Sequence, residues 1–213
     1  MKQSDSLYKT YQQLIAECDE KINEIATQYA AMVDAPKAEL LRSEKYSTKK
    51  NRIGFDIEKT AFDLWGVNVM RMHGMSRGSL LRLVDELGAD FTTKFADVKQ
   101  FVSWANLVPN NKISGGALLS SKVPKKKNPV GIIFRQAANT LHEAKNPLED
   151  CFRHMRAKGG HLQAMVATGK KLASIFYIMV QRKTEYDEDV YTNHRKVELQ
   201  NKVTCLRPVF KSV

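Results

Sequence analysis

Over much of its second half this 213-residue sequence is nearly without acidic residues, and it has little cysteine and no long apolar run. Each absence excludes something. No stretch approaches the roughly 18 consecutive apolar residues that a membrane-spanning helix needs. The longest, Leu172 to Val180, suits a core helix. The opening MKQSDSLYKTYQQ is polar, so no secretory leader is expected. Cys18, Cys151 and Cys205 lie far apart, without a CxxC pair. That spacing argues against a disulfide frame and a zinc site and for a reducing compartment. A cytoplasmic protein without a membrane partner is expected. No HxxxH pair occurs, and His154 and His161 are separated by Gly159-Gly160. Acidic clusters include Asp85-Glu86, Glu149-Asp150 and Asp187-Glu188-Asp189. Adjacent carboxylates on a helix point apart, so these read as helix-end or surface charges rather than Mg²⁺ ligands. No metal and no cofactor are expected in this chain.

What is present is positive charge, and it is segregated. The formal net charge is +11. Residues 98–184 carry fifteen Lys or Arg against three acids, a net +12, and the remainder holds 19 basic and 20 acidic residues. A polyanion is the usual partner of such a region, because each neutralised phosphate releases counterions and adds affinity. The plainer reading is a solvated basic surface.

The periodicity is mainly α. Tyr11, Leu14, Cys18, Ile22, Ile25, Tyr29 and Met32 follow heptad-like spacing, a seam along one long N-terminal helix. It predicts a helix–helix contact, either within the chain or through a homo-oligomer. Residues 36–54 read as a hinge. Asp56 caps a predicted helix through Ile57, Ala61, Leu64 and Trp65 that breaks at Gly66. Helical stretches are expected on both sides of His73–Gly78, then over Ala96 to Leu107 with Phe101 and Trp104 facing inward. Residues 108–128 form a long Gly/Lys-rich loop with a weak sign of short strand pairing around 108–124. Helices are then predicted over Val130–Leu141, Pro147–Ala157, Leu162–Arg182 and Asp187–Leu206, with a break at Gly159-Gly160. The expected divisions are 1–54, 55–186 and 187–213.

Two segments can carry chemistry. Gly74-Met75-Ser76-Arg77-Gly78 resembles the turn of a helix-hairpin-helix, whose backbone N–H groups grip a phosphate at a helix N-terminus. A plain interhelical turn fits it equally. The second is Asn111–Lys122, in which Ser114 precedes Gly115 and Gly116 with lysines on both sides. A serine hydroxyl is a weak nucleophile and needs a base or cations to act on a phosphodiester. Lys112, Lys122, Lys125, Lys126, Lys127 and Arg135 are the candidate cations. Taken on spacing alone, Ser-Gly-Gly is also an ordinary flexible loop.

Taken together, the pieces resemble a family. Gly66-Val67-Asn68, His73–Ser76 and Leu80…Leu87-Gly88, then Phe101-Val102-Ser103-Trp104-Ala105…Leu107–Gly116…Leu119–Lys122, are similar to the C-terminal serine domain of transposases of the Piv/MooV, insertion-sequence one-ten type. Phe134-Arg135, Leu141-His142, Lys171-Leu172-Ala173, Tyr177 and Tyr186 fit the same pattern, so the resemblance spans about residues 55–195. It implies DNA transposition and recombination, with Ser114 as the nucleophile joined to DNA. The implied partners are DNA and a structured guide RNA. The resemblance also implies an N-terminal acidic RuvC-like domain binding Mg²⁺, ahead of a coiled coil to which residues 4–33 correspond. The acidic domain is not in this sequence, so a truncated transposase that does not act alone is expected. Two departures stand out: Ser76 occupies the second hairpin-glycine position, and prolines flank Lys125–Lys127. The alternative is a non-catalytic nucleic-acid-binding or dimerisation module derived from a transposase.

Overall fold

A nine-residue helix begins where Asp56 supplies its carboxylate to the Lys59 N–H (3.3 Å) and ends where Gly66 turns left-handed at φ 70°. The Gly66 N–H there closes onto the Phe62 carbonyl at 2.7 Å. Both ends fall where the sequence placed them, because each is set by a local cap. The computed structural model describes residues 2–31, 40, 53–124, 127–141 and 147–187. Within them α1 (Lys2–Ala31) is followed by α2 (Ile57–Trp65), a single 3-10 turn (Val69–Arg71) and α3 (Arg77–Leu87). Next come α4 (Phe91–Lys94), α5 (Val98–Trp104), strands β1 (Asn110–Ser114) and β2 (Ala117–Lys122), α6 (Pro129–Thr140) and α7 (Pro147–Arg182). The architecture is mainly helical, as expected. The helix predicted over 187–206, the Lys125 and Lys126 side chains and most of the 36–54 hinge lie outside the described residues.

The core is aromatic. Trp65, Phe91, Phe101, Phe134, Phe176 and Tyr177 are completely buried. Phe91 stacks on Phe176 at 5.3 Å, and Trp65 meets Phe176 edge-on at the same distance. Such pairs contribute about 0.5–1.5 kcal/mol each beyond the area they bury. The indole N–H of Trp65 donates to the Gly88 carbonyl at 2.9 Å, so its burial strands no donor. Glu58 is buried too, and Asn68 supports it by donating Nδ2–H to Glu58 Oε1 at 2.6 Å. Asn68 also accepts from the Met70 N–H, and its own N–H donates to Glu185 Oε1. One residue thus ties α2, the 3-10 turn and the segment after α7. Lys183 adds a second tie, donating Nζ–H to the Trp65 carbonyl at 2.7 Å, with burial lowering its pKa.

Two glycines allow helices to cross closely. A Cβ on Gly131 would lie 1.9 Å from the Ala105 carbonyl oxygen, so the start of α6 rests directly on the end of α5. A Cβ on Gly74 would lie 2.5 Å from the Ala137 carbonyl oxygen, at a left-handed φ of 79°. α7 folds back on itself. Gly160 leaves helical geometry at φ 80°. The Phe152 and His161 rings then meet at 5.5 Å, and Lys171 Nζ reaches Cys151 Sγ at 4.0 Å. Residues 20 apart on a straight helix would be separated by about 30 Å. The break expected at Gly159-Gly160 is therefore a helical hairpin.

Three local expectations change. The chain before Gly74 forms a 3-10 turn rather than a helix, because Asn68 caps it through Met70 and its length is only three residues. Trp104 does not face inward: it sits at the end of α5 and is 41% exposed, whereas Phe101 takes the interior position. The α1 seam does not pack against the body. Tyr11, Leu14, Ile22, Ile25 and Tyr29 are all exposed. The helix attaches through a neighbouring stripe, with Ala30 against the core and Asp19 accepting from the Gly54 N–H at 2.7 Å.

Candidate nucleic-acid interface

The Gly/Lys-rich segment is a β-hairpin rather than an irregular loop. β1 and β2 pair antiparallel, with Asn110 opposite Lys122, Lys112 opposite Ser120 and Ser114 opposite Ala117. Gly115 and Gly116, at φ 56° and 79°, make the two-residue connection. Positive φ at both central positions is what a tight hairpin turn of this twist requires. A Cβ on either glycine would meet nothing within 4 Å, so φ and not crowding demands glycine here. The tip stands in open solvent, with backbone that a phosphodiester can approach.

The register sorts the side chains. Successive residues on β1 alternate faces, so Asn110, Lys112 and Ser114 share one face, with Lys122 directly across from Asn110. Lys112 lies about 7 Å along the strand from Ser114, and Lys122 about 13 Å. The two lysines are therefore set apart along the hairpin rather than gathered at its tip. A bulge at Lys112/Ile113 leaves Leu119 without a partner in the register, and both Ile113 and Leu119 are more than 60% exposed. All of β1 is exposed. Among the described residues no hydrogen bond reaches Ser114 Oγ, and the residue is exposed.

Other predicted site residues lie apart from the tip. Arg135, on α6, is half-buried and donates Nε–H to the Gly131 carbonyl at 3.0 Å, which holds it along its own helix. Lys127 is exposed just before α6. Ser76 caps α3 by accepting from the Ser79 N–H at 3.1 Å, and Arg77 and Gly78 are exposed in the first turn of that helix. Gly74 faces the α6 backbone, so packing accounts for it. Among the described residues no group of three His, Cys, Asp or Glu side chains is arranged to hold a metal ion. These residues do not fit the Mg²⁺ that the resemblance attaches to an acidic domain. No described helix is long and apolar enough to cross a membrane.

Sequence reasoning missed the feature beside the hairpin foot, an aromatic shelf in which the exposed Trp104 and the half-buried Phe95 sit over the buried Phe101. Its only signal was the tryptophan itself, which helical spacing assigned to the core.

The class the fold defines is a helical scaffold that holds a glycine-tipped, lysine-bearing hairpin in solvent. More particularly, residues 67–149 match the model of the Transposase IS116/IS110/IS902 family. The matched stretch runs from just beyond α2 to the first turn of α7 and contains the whole hairpin. The match covers 83 of the 213 residues, and over that stretch the chain is similar to transposases of that family. Neither the curated proteins nor the solved structures contain a match.

Proposed function

We propose that this chain supplies the serine of a DNA strand-transfer reaction, with Ser114 as the nucleophile. The observation that carries the reading is the display of Ser114 at an open glycine turn, on the same strand face as Lys112, inside the family-matched stretch. In the step, Ser114 Oγ forms a bond to phosphorus, and the bond from phosphorus to one deoxyribose oxygen breaks. The serine proton passes to a base, and the departing oxygen takes up a proton as an alcohol. One phosphodiester replaces another, so the exchange is reversible. Lys112 would stabilise charge on the attacked phosphate, while Lys122 and the Lys125–Lys127 run would hold neighbouring phosphates. Arg135 would act from α6, and Ser76, Arg77 and Gly78 would hold backbone phosphate at the start of α3, with Gly74 shaping the turn. Since no base is hydrogen-bonded to Ser114 among the described residues, the acidic RuvC-like domain or a partner would supply it. The exposed α1 seam would take a second protomer, and a structured guide RNA would select the target.

The test is covalent trapping on supercoiled or nicked element-end DNA, using the chain joined to its acidic domain. A protein–DNA adduct is expected, and Ser114→Ala abolishes it. The same adduct from Ser114→Ala would remove Ser114 from the role. The unactivated hydroxyl favours one rival, a module that binds nucleic acid without cutting it. That rival predicts a steep fall of log affinity with log salt, no adduct, and no effect of Ser114→Ala.

A further inference from the structure

Trp104 is one of two tryptophans, and it occupies the opposite environment from the other. Trp65 is completely buried, whereas Trp104 lies open above the core aromatics. Phe101 lies beneath it, nearly parallel, at 6.3 Å, and Phe95 leans against it at 5.2 Å. Trp104 and Phe95 floor a shallow hollow of about 660 Å³ rimmed by Lys94, Asp97, Lys99, Gln100 and Ser103, with Phe101 buried underneath. We propose that this hollow is a stacking site for an unpaired nucleobase of a DNA strand whose phosphates pass over Lys99 toward the hairpin.

The shelf is built rigidly. Tyr177 donates its hydroxyl to the Phe95 carbonyl at 2.7 Å, anchoring that residue to α7. Asp97 caps α5 by accepting from the Gln100 N–H at 2.7 Å, and Gln100 Oε1 accepts from the Ala96 N–H at 3.0 Å. The Trp104 carbonyl accepts from Asn128 Nδ2 at 3.0 Å. An aromatic surface already fixed in place loses little entropy when a ring settles on it.

Charge selects the occupant. Lys94 pairs with Asp90 at 3.1 Å, and the Asp97 carboxylate is engaged at the helix start. Lys99 pairs with no acid among the described residues, so it is the rim cation open to a phosphate. An aromatic face beside a cation is the arrangement that takes a base and its phosphate together. Stacked bases of an intact duplex present only their edges, so a flat shelf can use a base only after it leaves the stack.

Position connects the shelf to the hairpin. The Asn128–Trp104 contact closes the hairpin's foot, since the chain departs just after Trp104 and returns at Asn128. Ser114 stands about 13 Å farther out along β1 than Asn110. A base on the shelf is thus a few nucleotides from a phosphate at the tip. The proposal rests on the hairpin facing DNA, but not on Ser114 being the nucleophile.

Tryptophan fluorescence tests it, because only Trp104 is accessible to a stacking base. The probes are an oligothymidylate of about 16 nucleotides and a duplex of mixed sequence, each also labelled so that anisotropy follows binding independently. Saturable quenching by the single strand is expected, with little from the duplex. Trp104→Ala is expected to weaken single-strand binding about 5- to 150-fold and to leave duplex binding unchanged. Lys99→Gln should reduce the single-strand salt slope by about 0.7. Single-strand binding without quenching overturns the proposal. So does a Trp104→Ala protein, with wild-type circular dichroism, that binds the strand as tightly as wild type. An oligoribonucleotide that quenches where the DNA strand does not also overturns it. Ser114→Ala should leave the quenching intact, so loss of the adduct with retained quenching would separate the shelf from the nucleophile reading.

Discussion

The aromatic core and the β-hairpin are held by opposite means. Around Phe176 every ring is buried and touches several others, so position is fixed many times over. Along β1 no residue is buried, and only ladder hydrogen bonds and a glycine turn fix the strand. A two-stranded ribbon without a covered face is marginal in water. The part bearing the candidate chemistry is therefore the part that packing supports least. Substitutions should consequently separate into those felt by the whole fold and those felt only at the tip.

The largest effect belongs to the centre of the core. Phe176→Ala removes the ring that meets Trp65, Phe91, Phe101 and Phe134. A loss of about 3–5 kcal/mol is expected in urea unfolding, enough to leave much of the chain unfolded. A loss under about 1 kcal/mol would mean the rings do not pack as described. Next is Gly131→Ala, which sets a methyl against the Ala105 carbonyl and forces α5 and α6 apart. It should cost about 1–3 kcal/mol and should also disturb the hairpin's foot, because Asn128 lies at that crossing.

A smaller effect carries a pH signature. Burial, with the Asp97 charge behind it, raises the Tyr177 hydroxyl above its ordinary value near 10. The folded state thus keeps a proton that the unfolded chain gives up. Its contribution is whole below about pH 10 and is lost as pH rises from there through the folded value. Tyr177→Phe should cost about 1 kcal/mol at neutral pH through the lost bond to Phe95. The mutant's stability should also fall less steeply above pH 10 than the wild type's. Parallel curves would show that Tyr177 titrates as in the unfolded chain.

The same contrast explains what could be read from sequence. Asp56, Gly66 and Gly160 declared their elements because caps and breaks are local rules. Gly115-Gly116 declared a turn, and the weak pairing signal around it became a hairpin. Position relative to other elements was not legible. Helical spacing put Trp104 inside, but α5 ends at that residue and α6 crosses beside it, leaving the ring outside. The α1 seam reads as a packing face, yet the body takes the adjoining stripe of Asp19 and Ala30. For Gly74 the reason is the α6 carbonyl, which lies more than 60 residues away in sequence. The common face of Lys112 and Ser114 required the strand register, since a loop gives no alternation.

The smallest effect on stability should fall at the turn, and it should have the largest effect on the proposed chemistry. Replacing Gly115 and Gly116 together by Ala imposes positive φ on residues with a Cβ, a strain of about 1 kcal/mol or more at each. The whole fold cannot register all of that strain. A hairpin that opens on its own limits the loss to its own marginal stability, so global unfolding should shift by less than about 0.5 kcal/mol. Amide exchange read by NMR should tell the regions apart, with protection lost over 110–122 and kept around Phe176. A global loss approaching the sum of the two strains would show that the tip is coupled to the core, and the contrast between the two regions would fail. If the decoupling holds, the double variant should retain the Trp104 shelf and its affinity for an unpaired strand. It should lose adduct formation at Ser114, because the serine face then no longer has a fixed direction toward the phosphate.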